Sequence, residues 1–445
     1  MTPDTIFALA SAAGRAGVQV LRLSGPSAGP ALCRLTRRPL PPPRQAVLAA
    51  LYAPGPDTGP DAGELIDKGL LLWFPAPASF TGEDVAELHL HGGRAVLQAA
   101  TRALVALGLR VAEPGEFSRR AFENGKLDLT EAEAIADLVD AETAAQRRQA
   151  LRQMEGALGR LYEGWRQRLT RALAHLEAEI DFPEEDLPGG LTDAVRPVVE
   201  TLAAEIAAHL ADNSRGERLR DGIAIAILGA PNAGKSSLLN AIARRDVAIV
   251  SAQAGTTRDV IEVQLDLGGY PVQLADTAGL REAAEAIEAE GIRRALDRAG
   301  RADLKLLVFD ATQPPDAATL ALADGNALLV LNKADRPGAA TALPGHGALT
   351  VSAATGAGLA GLLAALEQAV AARFNPAGAP ALTRARHRAA LEACRDSLLR
   401  ALGAPLPELA AEDVRLASRA LGRITGRVDV EDLLDVIFRD FCIGK

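Results

Sequence analysis

The chain has 445 residues, 48% of them hydrophobic, which is too long for one hydrophobic core and suits about three domains. A formal net charge of −9 excludes a global attraction to nucleic acid, so any RNA contact needs a local basic patch or a partner. The three cysteines lie far apart, no signal-peptide pattern is present, and no uncharged apolar run reaches about 18 residues, so we expect a cytoplasmic protein without a disulfide scaffold or membrane span.

The first 120 residues contain short alternating apolar runs that are broken by glycine and proline, a pattern typical of strands. Gly17–Leu23 and Gly69–Phe74 are two such runs, whereas Arg94–Leu107 has the spacing of a helix. We therefore predict an N-terminal α+β domain over residues 1–120.

Helical spacing replaces this pattern near residue 127. Thr130–Glu133 has the spacing of a capping box, and no proline follows until Pro183. Helical spacing returns in Arg384–Phe438, towards the C-terminus. We predict one helical domain in two parts, residues 121–216 and 375–445, with linkers at Asp212–Gly216 and Pro376–Pro380 that connect these parts to the region between them.

Between these parts, residues 229–236 read GAPNAGKS, the G-x-x-x-x-G-K-S pattern of phosphate-binding loops. The apolar run Ile223–Leu228 before them predicts a buried strand, and Ser237–Ile242 after them predicts a helix. Backbone N–H groups and the helix N-terminus bind phosphate in such loops, so we expect Lys235 at the β- and γ-phosphates, with a catalytic role, and Ser236 at Mg²⁺. A chance glycine-rich turn is the alternative, but the strand–loop–helix order favours the phosphate loop.

Three later motifs indicate that the nucleotide is GTP. Asp276–Gly279 reads DTAG, in which the carboxylate can hold Mg²⁺ through water and the glycine N–H can reach the γ-phosphate. Asn332–Asp335 reads NKAD, and the Asp335 carboxylate can accept from N1–H and the exocyclic amine of guanine, a donor pair that adenine lacks. Ser352–Ala354 can close over the guanine O6 through backbone N–H groups. Each motif alone could be a surface loop, but their order predicts a GTPase domain over residues 217–374.

Residues 251–259 lie between the phosphate loop and the DTAG motif and contain a candidate switch. Thr257 is our candidate for a Mg²⁺ ligand that binds only when the γ-phosphate is present, and a Ser/Thr/Gly-rich hairpin loop is the alternative. No glutamine occurs in the four positions after Gly279, and Glu282 is the nearest polar residue that could orient the attacking water. The predicted GTP-binding residues are Asn232, Ala233, Gly234, Lys235, Ser236, Ser237, Ser251, Thr256, Thr257, Asp276, Thr277, Ala278, Gly279, Asn332, Lys333, Asp335, Ser352, Ala353 and Ala354.

The predicted fold is therefore multidomain, α+β and α/β, with an inserted Ras-like P-loop GTPase domain interrupting the helical domain. The C-terminal sequence FCIGK, the phosphate loop PNAGKSS and the sequence DTAGLRE closely resemble those of the MnmE (TrmE) family of bacterial tRNA modification GTPases. The resemblance covers nearly the whole chain and includes further short matches. These are Asp4–Ile6, Gly14–Val18, Ser79–Asp84, His91–Gly93, Pro114–Ser118 and Lys126–Leu129.

This resemblance implies a homodimeric, potassium-dependent GTPase that works with an FAD- and NADH-dependent partner, MnmG. The two proteins would modify the wobble uridine, position 34, of certain tRNAs. The product would carry an aminomethyl or carboxymethylaminomethyl group at C5. Its one-carbon unit would come from a methylene- or formyl-tetrahydrofolate that the N-terminal domain binds, and the same domain would form the dimer.

The resemblance also implies how hydrolysis is catalysed. Small GTPases commonly use an arginine finger to neutralise charge on the transferred phosphoryl group, whereas this family uses K⁺ at the dimer interface of its GTPase domains. Asn232 would ligate K⁺ through its side-chain oxygen, and Ser251, Gln253 and Thr256 would complete the site, mostly with backbone carbonyls. Glu282 would position the attacking water through a second water.

Four residues would contact the folate by the same resemblance: Arg22, Glu87, Lys126 and the C-terminal Lys445. From the residues alone, a strand-edge charge is favoured for Arg22 and a solvated face for Glu87. Folate carries a glutamate tail and a pterin with a guanine-like donor edge, so a basic residue and a carboxylate are suitable partners. Cys442 is implied to act in the tRNA chemistry, and its alternative is a small buried residue.

Three alternatives stay open. His89 and His91 lie two apart in a strand-like run, so a metal pair is conceivable, although no cysteine or third histidine lies nearby. A GTPase switch in ribosome assembly would share every GTPase motif but should carry a basic RNA-binding appendage, and none is evident. A folate-dependent one-carbon transferase with a regulatory GTPase would differ only in whether MnmG is needed for catalysis.

Overall fold

The part of the chain that the computed structural model describes falls into two compact units. The first unit comprises Met1–Ala136, Gly159–Arg166 and Leu421–Lys445, and the second comprises Asp137–Leu158 and Gln167–Ala420. None of the described helices is long and apolar enough to cross a membrane. The described residues, apart from the side chains of 191–194, 262, 276 and 431–433, are 4–55, 63–181, 191–212, 214–245, 262–276, 300, 302–374, 380–428, 430–439 and 441–444.

Strands and helices alternate within the N-terminal region and within the GTPase region, whereas the described chain between the two sheets and after the second sheet contains only helices. The described strands are β1 (Ile6–Leu9), β2 (Ala16–Ser24), β3 (Val47–Tyr52), β4 (Leu65–Phe74), β5 (Val85–Gly92), β6 (Arg110–Val111), β7 (Ile223–Leu228), β8 (Glu262–Leu267), β9 (Tyr270–Asp276), β10 (Leu304–Asp310), β11 (Ala327–Asn332) and β12 (Ala348–Thr350). The described helices are α1 (Ala28–Thr36), α2 (Arg94–Ala106), α3 (Glu116–Glu123), α4 (Leu129–Val139), α5 (Ala144–Met154), α6 (Ala157–Asp181), α7 (Leu191–Leu210), α8 (Arg215–Asp221), α9 (Lys235–Ala243), α10 (Ala317–Leu320), α11 (Leu359–Phe374), α12 (Ala385–Gly403), α13 (Pro407–Thr425) and α14 (Glu431–Arg439).

A sheet with the strand order β3-β4-β5-β2-β1-β6 is the centre of the first unit. Its neighbouring strands run antiparallel except for β1 and β6, which are parallel. Leu21 and Leu23 of β2 and Leu88 and Leu90 of β5 alternate towards one face, where they pack with α1 and α2. The predicted α+β fold of this region, with its two strands and one helix, is confirmed.

The C-terminal segment belongs to this first unit. Phe438 and Phe441 pack with Leu129 of α4, and Ile443 forms a β-bridge with Pro114. The last described residues therefore lie beside β1 and the start of α3, where a Cβ on Gly444 would come within 2.3 Å of the Leu9 carbonyl oxygen.

A second sheet, with the strand order β12-β11-β10-β7-β9-β8, is the centre of the GTPase region in the second unit. All its neighbouring strands are parallel except β8 and β9, which form an antiparallel hairpin. Apolar runs at these strands are buried on both faces, as expected of a mostly parallel sheet covered by helices. The carboxyl ends of β7, β10 and β11 meet at one edge, which is where such sheets bind ligands.

The predicted interruption of the helices is present. Helix α7, before the GTPase region, packs against α12, which follows it, so the chain leaves the helical body and returns to it. Arg388 of α12 connects this helix to the end of α7, because its guanidinium donates to the Leu210 carbonyl (3.0 Å) and the Asp212 carboxylate (2.9 Å).

The first of the two predicted linkers is a packed segment of the structure. The first predicted linker, Asp212–Gly216, already contains the start of α8, and a Cβ on Gly216 would lie 2.1 Å from the Leu382 carbonyl oxygen. Such close backbone approach requires glycine, so the chain crosses into the GTPase region through a packed contact. Asn213 and residues 375–379, the greater part of the second predicted linker, lie outside the described residues.

The predicted capping box at Thr130 is shifted by two residues. The Asp128 carboxylate accepts the Glu131 N–H (2.9 Å), and the Glu131 carboxylate accepts the Asp128 N–H (2.8 Å). Asp128 is thus the N-cap, a position that a carboxylate fills as well as a hydroxyl does. The Thr130 hydroxyl donates to the same carboxylate (2.7 Å). A second capping box, formed by Thr143 and Gln146 at the start of α5, was not predicted.

Candidate active site

The predicted phosphate loop connects the end of β7 to the start of α9. Asn232 and Gly234 in this loop have φ values of 64° and 92°, in the left-handed region that favours glycine and asparagine. A Cβ on Gly234 would lie 2.3 Å from the side-chain nitrogen of Asn332, so no other residue fits there. The loop therefore curls tightly and passes close to the end of β11.

Lys235 and Ser236 occupy the first turn of α9. Lys235 is buried, with 8% of the residue exposed, and its ammonium donates to the backbone carbonyls of Gly229 (2.8 Å) and Ala230 (2.9 Å). The unpaired N–H groups and the dipole of the helix give this end a positive potential. The loop thus places a cation and a helix N-terminus together, which is the arrangement that binds phosphate.

Asn332, at the end of β11, joins two of the predicted motifs. Its side chain is 1% exposed, and its amide nitrogen donates to the Ala233 carbonyl in the phosphate loop (3.0 Å). Its amide oxygen accepts the backbone N–H of Ala353 (3.1 Å), in the loop that follows β12. The same side chain therefore holds the phosphate loop and the predicted guanine loop in fixed positions.

Lys333 joins the phosphate loop to a residue that the sequence analysis missed. Its ammonium donates to the Asn232 carbonyl (2.6 Å) and to the carboxylate of Asp310 (2.6 Å) at the end of β10. Burial alone would raise the pKa of Asp310, but hydrogen bonds from Lys333 and Thr312 outweigh it and lower the pKa below its usual value. The signal was available, since Asp310 follows an apolar strand just as Asp276 does.

Asp335 lies at the surface and is ionised. The buried Ser352 hydroxyl donates to its carboxylate (2.6 Å), and this hydrogen bond lowers the pKa of Asp335. The Ser352 oxygen in turn accepts the Thr355 N–H (3.1 Å), which fixes the hydroxyl. An exposed carboxylate held in this way accepts hydrogen bonds only, as recognition of the guanine donor edge requires.

The remaining predicted nucleotide residues are only partly described. Ser237 follows on α9, Ala354 follows in the loop after β12, and the backbone of Asp276 ends β9 next to Ile227 of β7. The side chain of Asp276 is not described. The predicted residues that lie outside the described part of the chain are Ser251, Gln253, Thr256, Thr257, Thr277, Ala278, Gly279, Glu282 and Lys445.

A second group of predicted residues lies in the first unit. Arg22 and Glu87 are opposite each other in the β2–β5 pair, and their charged groups are 2.9 Å apart. Their side chains are 22% and 17% exposed, and β2 is an interior strand, so neither an edge charge nor a solvated face describes them. The Arg22 guanidinium also lies 5.6 Å from the centre of the Phe80 ring.

Lys126 reaches the same loop that carries Phe80. Its ammonium donates to the Pro77 carbonyl (3.2 Å), and its stem lies 3.3 Å from where a Cβ on Gly82 would be. The loop between β4 and β5 thus contacts both Lys126 and Arg22. Cys442 is exposed, so the alternative of a small buried residue does not describe it.

The two neighbouring histidines contact different carboxylates. His89 lies 3.2 Å from Glu87, and His91 lies 2.9 Å from Asp67. Within the described residues, no three histidine, cysteine or carboxylate side chains are grouped so that they could hold a metal ion. The alternative of a metal pair gains no support from this arrangement.

The phosphate loop between β7 and α9, the Asn-Lys-x-Asp motif and the buried serine loop lie at one edge of a mostly parallel sheet, which defines the chain as a P-loop GTPase. The model of the GTP-binding protein TrmE N-terminus matches residues 5–126, and that of the MnmE helical domain matches residues 129–442. The chain therefore belongs to the MnmE family of tRNA modification GTPases.

Relatives of similar length support this membership. The tRNA modification GTPase MnmE of Paramagnetospirillum magneticum is 62% identical over an alignment of 446 residues that covers 99% of this chain and 100% of that protein. The same enzyme of Rhodospirillum rubrum is 61% identical over 456 residues, covering 100% of both chains. Among solved structures, the G domain of the T. maritima FeoB iron transporter is 24% identical and covers 33% of this chain and 98% of that one, with a TM-score of 0.25 that is too low to add to the assignment.

Proposed function

We propose that this chain hydrolyses GTP and uses that hydrolysis, with a partner of the MnmG type, to modify the wobble uridine of tRNA. The observation that carries the proposal is the double hydrogen bond of Asn332, which ties the phosphate loop to the guanine loop. Membership of a family of tRNA modification GTPases supports tRNA as the substrate. Because tRNA is a cytoplasmic molecule in bacteria, we also propose a cytoplasmic location.

The phosphates of GTP would lie on the backbone N–H groups of 232–237, with Lys235 at the β- and γ-phosphates. Ser236 and Thr257 would hold Mg²⁺ directly, and Asp276 would hold it through water. The position of Ser236, half-buried next to Lys235 at the helix start, fits this role. When bound, Mg²⁺ would neutralise charge on the phosphates.

Asp335→Asn should weaken GTP binding by roughly tenfold or more and reduce the preference for GTP over inosine triphosphate, which lacks the exocyclic amine. The carboxylate accepts two donors from guanine, whereas an amide at this position would present one of its own donors to them. Titration calorimetry with both nucleotides would measure the change. Asp324→Asn, which alters a carboxylate of the same domain bound to Lys305, is the matched control. Unchanged GTP affinity in Asp335→Asn would contradict the guanine assignment.

We also propose that K⁺ takes the place of an arginine finger. Asn232 would bind it through its side-chain oxygen, and this side chain is exposed while its backbone carbonyl is held by Lys333 (2.6 Å). Ser251, Gln253 and Thr256 would complete the site. Glu282 would position the attacking water.

Replacing K⁺ by Na⁺ should slow GTP hydrolysis by about tenfold or more, or ~1.4 kcal/mol in the barrier. Na⁺ is too small to contact all the oxygen ligands that are spaced for K⁺, so it would bind this site more weakly and the phosphates would lack the cation more often. Hydrolysis rates at equal ionic strength would measure this, and Asn232→Ala should reproduce the Na⁺ rate in K⁺. Asn240→Ala, an exposed asparagine on α9, is the control. Equal rates in the two salts would overturn the potassium proposal.

A folate site in the first unit is proposed for Arg22, Glu87, Lys126 and Lys445. The Arg22–Glu87 pair and the contact of Lys126 with the β4–β5 loop support it, because they bring a guanidinium, a carboxylate and an ammonium to one region. These groups suit the glutamate tail and the donor edge of the pterin. When bound, the tetrahydrofolate would supply the one-carbon unit, and the exposed Cys442 is proposed to act in the tRNA chemistry.

Homodimer formation is proposed through the first unit. Leu48 and Leu70 lie opposite each other on the edge pair β3–β4 and are 65% and 45% exposed. Apolar side chains that are paired and exposed on an edge strand are a common mark of a protein interface.

Coupling between GTP and the helices is proposed through the turn of the β8–β9 hairpin. Its Gly269 carbonyl accepts the N–H of Ala145 (2.8 Å), in the first turn of α5, and Ala145 is buried in the GTPase core. On the other side of the turn, a Cβ on Gly268 would lie 2.2 Å from the Glu367 carboxylate of α11. The hairpin begins shortly after the candidate switch and ends at Asp276. A shift of either strand with the nucleotide would therefore move the start of α5.

A further inference from the structure

Helix α5 has an exposed face that is rich in arginine. Its 11 residues include Arg147, Arg148 and Arg152, all exposed, and no carboxylate. Its opposite side is buried through Ala145, Ala150 and other residues. The helix is therefore fixed to the second unit on one face and presents positive charge on the other.

Several other arginines on the helices are neutralised by a neighbour. Arg166 pairs with Glu163 (2.7 Å), Arg196 with Glu200 (3.1 Å), and Arg415 with Glu177 (2.7 Å). By contrast, Arg147 and Arg148 form no ion pair with any residue that the structure describes. In a chain whose net charge is −9, these two adjacent arginines give α5 a local positive charge.

We propose that the face of α5 formed by Arg147, Arg148 and Arg152 binds the phosphate backbone of tRNA. The inference rests on the proposed function, which requires an RNA contact although the chain as a whole is acidic. Guanidinium groups bind phosphate oxygens in pairs and are weakly hydrated, so they suit this contact better than lysines do. Contacts to phosphates fix the position of RNA without reading its sequence.

Helix α5 also contacts the turn of the β8–β9 hairpin. The Ala145 N–H, in the first turn of the same helix and two residues before Arg147, donates to the Gly269 carbonyl in the β8–β9 turn (2.8 Å). A tRNA bound to the arginine face would therefore contact the same helix as the β8–β9 hairpin, through which we propose that the nucleotide acts. Binding of tRNA and the state of the nucleotide would then influence each other reciprocally.

The test compares tRNA binding by the full chain and by the double variant Arg147→Glu/Arg148→Glu, using an in-vitro-transcribed tRNA at several KCl concentrations. The variant should bind about tenfold or more weakly near 0.1 M salt, and the slope of log affinity against log salt should fall by about 2. GTP hydrolysis without tRNA should remain at the wild-type rate, because neither arginine contacts the nucleotide site. Arg147→Gln/Arg148→Gln should show the same change to a smaller extent, which excludes a folding defect.

The matched control is Arg171→Glu/Arg419→Glu, which makes an equal charge change on α6 and α13. Wild-type affinity in the control and loss in the α5 variant would support the proposal. Equal affinity of the wild-type chain and the α5 variant would overturn it, as would an equal loss in the control. A loss confined to binding of a partner protein would assign the face to an acidic protein surface and also overturn it. No tRNA binding by the wild-type chain at any salt concentration would count against the proposed function itself.

Discussion

Asn332→Ala is expected to weaken GTP binding by roughly thirtyfold or more. The Asn332 amide donates to the Ala233 carbonyl (3.0 Å) and accepts from the Ala353 N–H (3.1 Å), and it is 1% exposed. Truncation would leave one buried and one half-buried backbone group without this side-chain partner, at about 1–3 kcal/mol for the buried one and less for the other. In the variant, part of the binding free energy of GTP would be spent on ordering the phosphate loop and the loop after β12. In the wild-type chain, Asn332 already holds these two loops in position through its hydrogen bonds.

Two further variants separate this effect from a general loss of stability. Asn332→Asp keeps the acceptor for Ala353 but loses the donor to the phosphate loop, so its affinity should fall between those of wild type and Asn332→Ala. Asn326→Ala removes an exposed asparagine of the same domain and should bind GTP normally. Wild-type GTP affinity in a folded Asn332→Ala protein, checked by thermal melting, would contradict the role of Asn332.

Glu282→Ala is expected to slow GTP hydrolysis by about a hundredfold while GTP affinity stays close to that of the wild-type chain. A group that positions the attacking water acts mainly in the transition state, so its removal lowers the rate without weakening binding. Single-turnover hydrolysis in K⁺, together with a GTP titration, would measure both quantities. Glu282→Gln keeps a hydrogen-bonding side chain of the same length and should lose less activity.

The same variant tests the proposed coupling. If GTP hydrolysis moves the helices and this movement is needed for tRNA chemistry, wobble uridine modification in cells should be lost together with hydrolysis. Slow hydrolysis with persistent modification would show that turnover and tRNA chemistry are not coupled. A collapse of GTP affinity would instead show that Glu282 supports the structure of the site, and the catalytic assignment would be wrong.

The sheet of the GTPase region was predictable because its motifs are local. The phosphate loop at 229–234 and Asn332–Asp335 each follow an apolar run, and each run is a strand whose carboxyl end carries the motif. Periodicity and motif order therefore sufficed for the strands and for the edge at which the site lies. The same holds for α2, where helical spacing over Arg94–Leu107 gave the helix almost to the residue.

Features that depend on long-range contacts could not be predicted in this way. The ion pair of Arg22 and Glu87 needs the β2–β5 register, and the Lys333–Asp310 pair needs β10 next to β11. The capping box was misplaced because Asp128 and Thr130 are both good N-caps, and only the direction of the chain decides between them. The position of Phe441 beside Leu129 likewise depends on packing across almost the whole chain.

GTP hydrolysis by this chain is expected to drive modification of the wobble uridine in tRNA. Mass spectrometry of that nucleoside would test this coupling in a bacterial strain that lacks its own family member and expresses either this chain or its Lys235→Ala variant. The wild-type chain should restore the aminomethyl or carboxymethylaminomethyl group, and Lys235→Ala, produced at the same level, should leave the uridine without it. Full restoration by Lys235→Ala, or an unmodified uridine in the presence of the wild-type chain, would show that hydrolysis by this chain does not drive the modification.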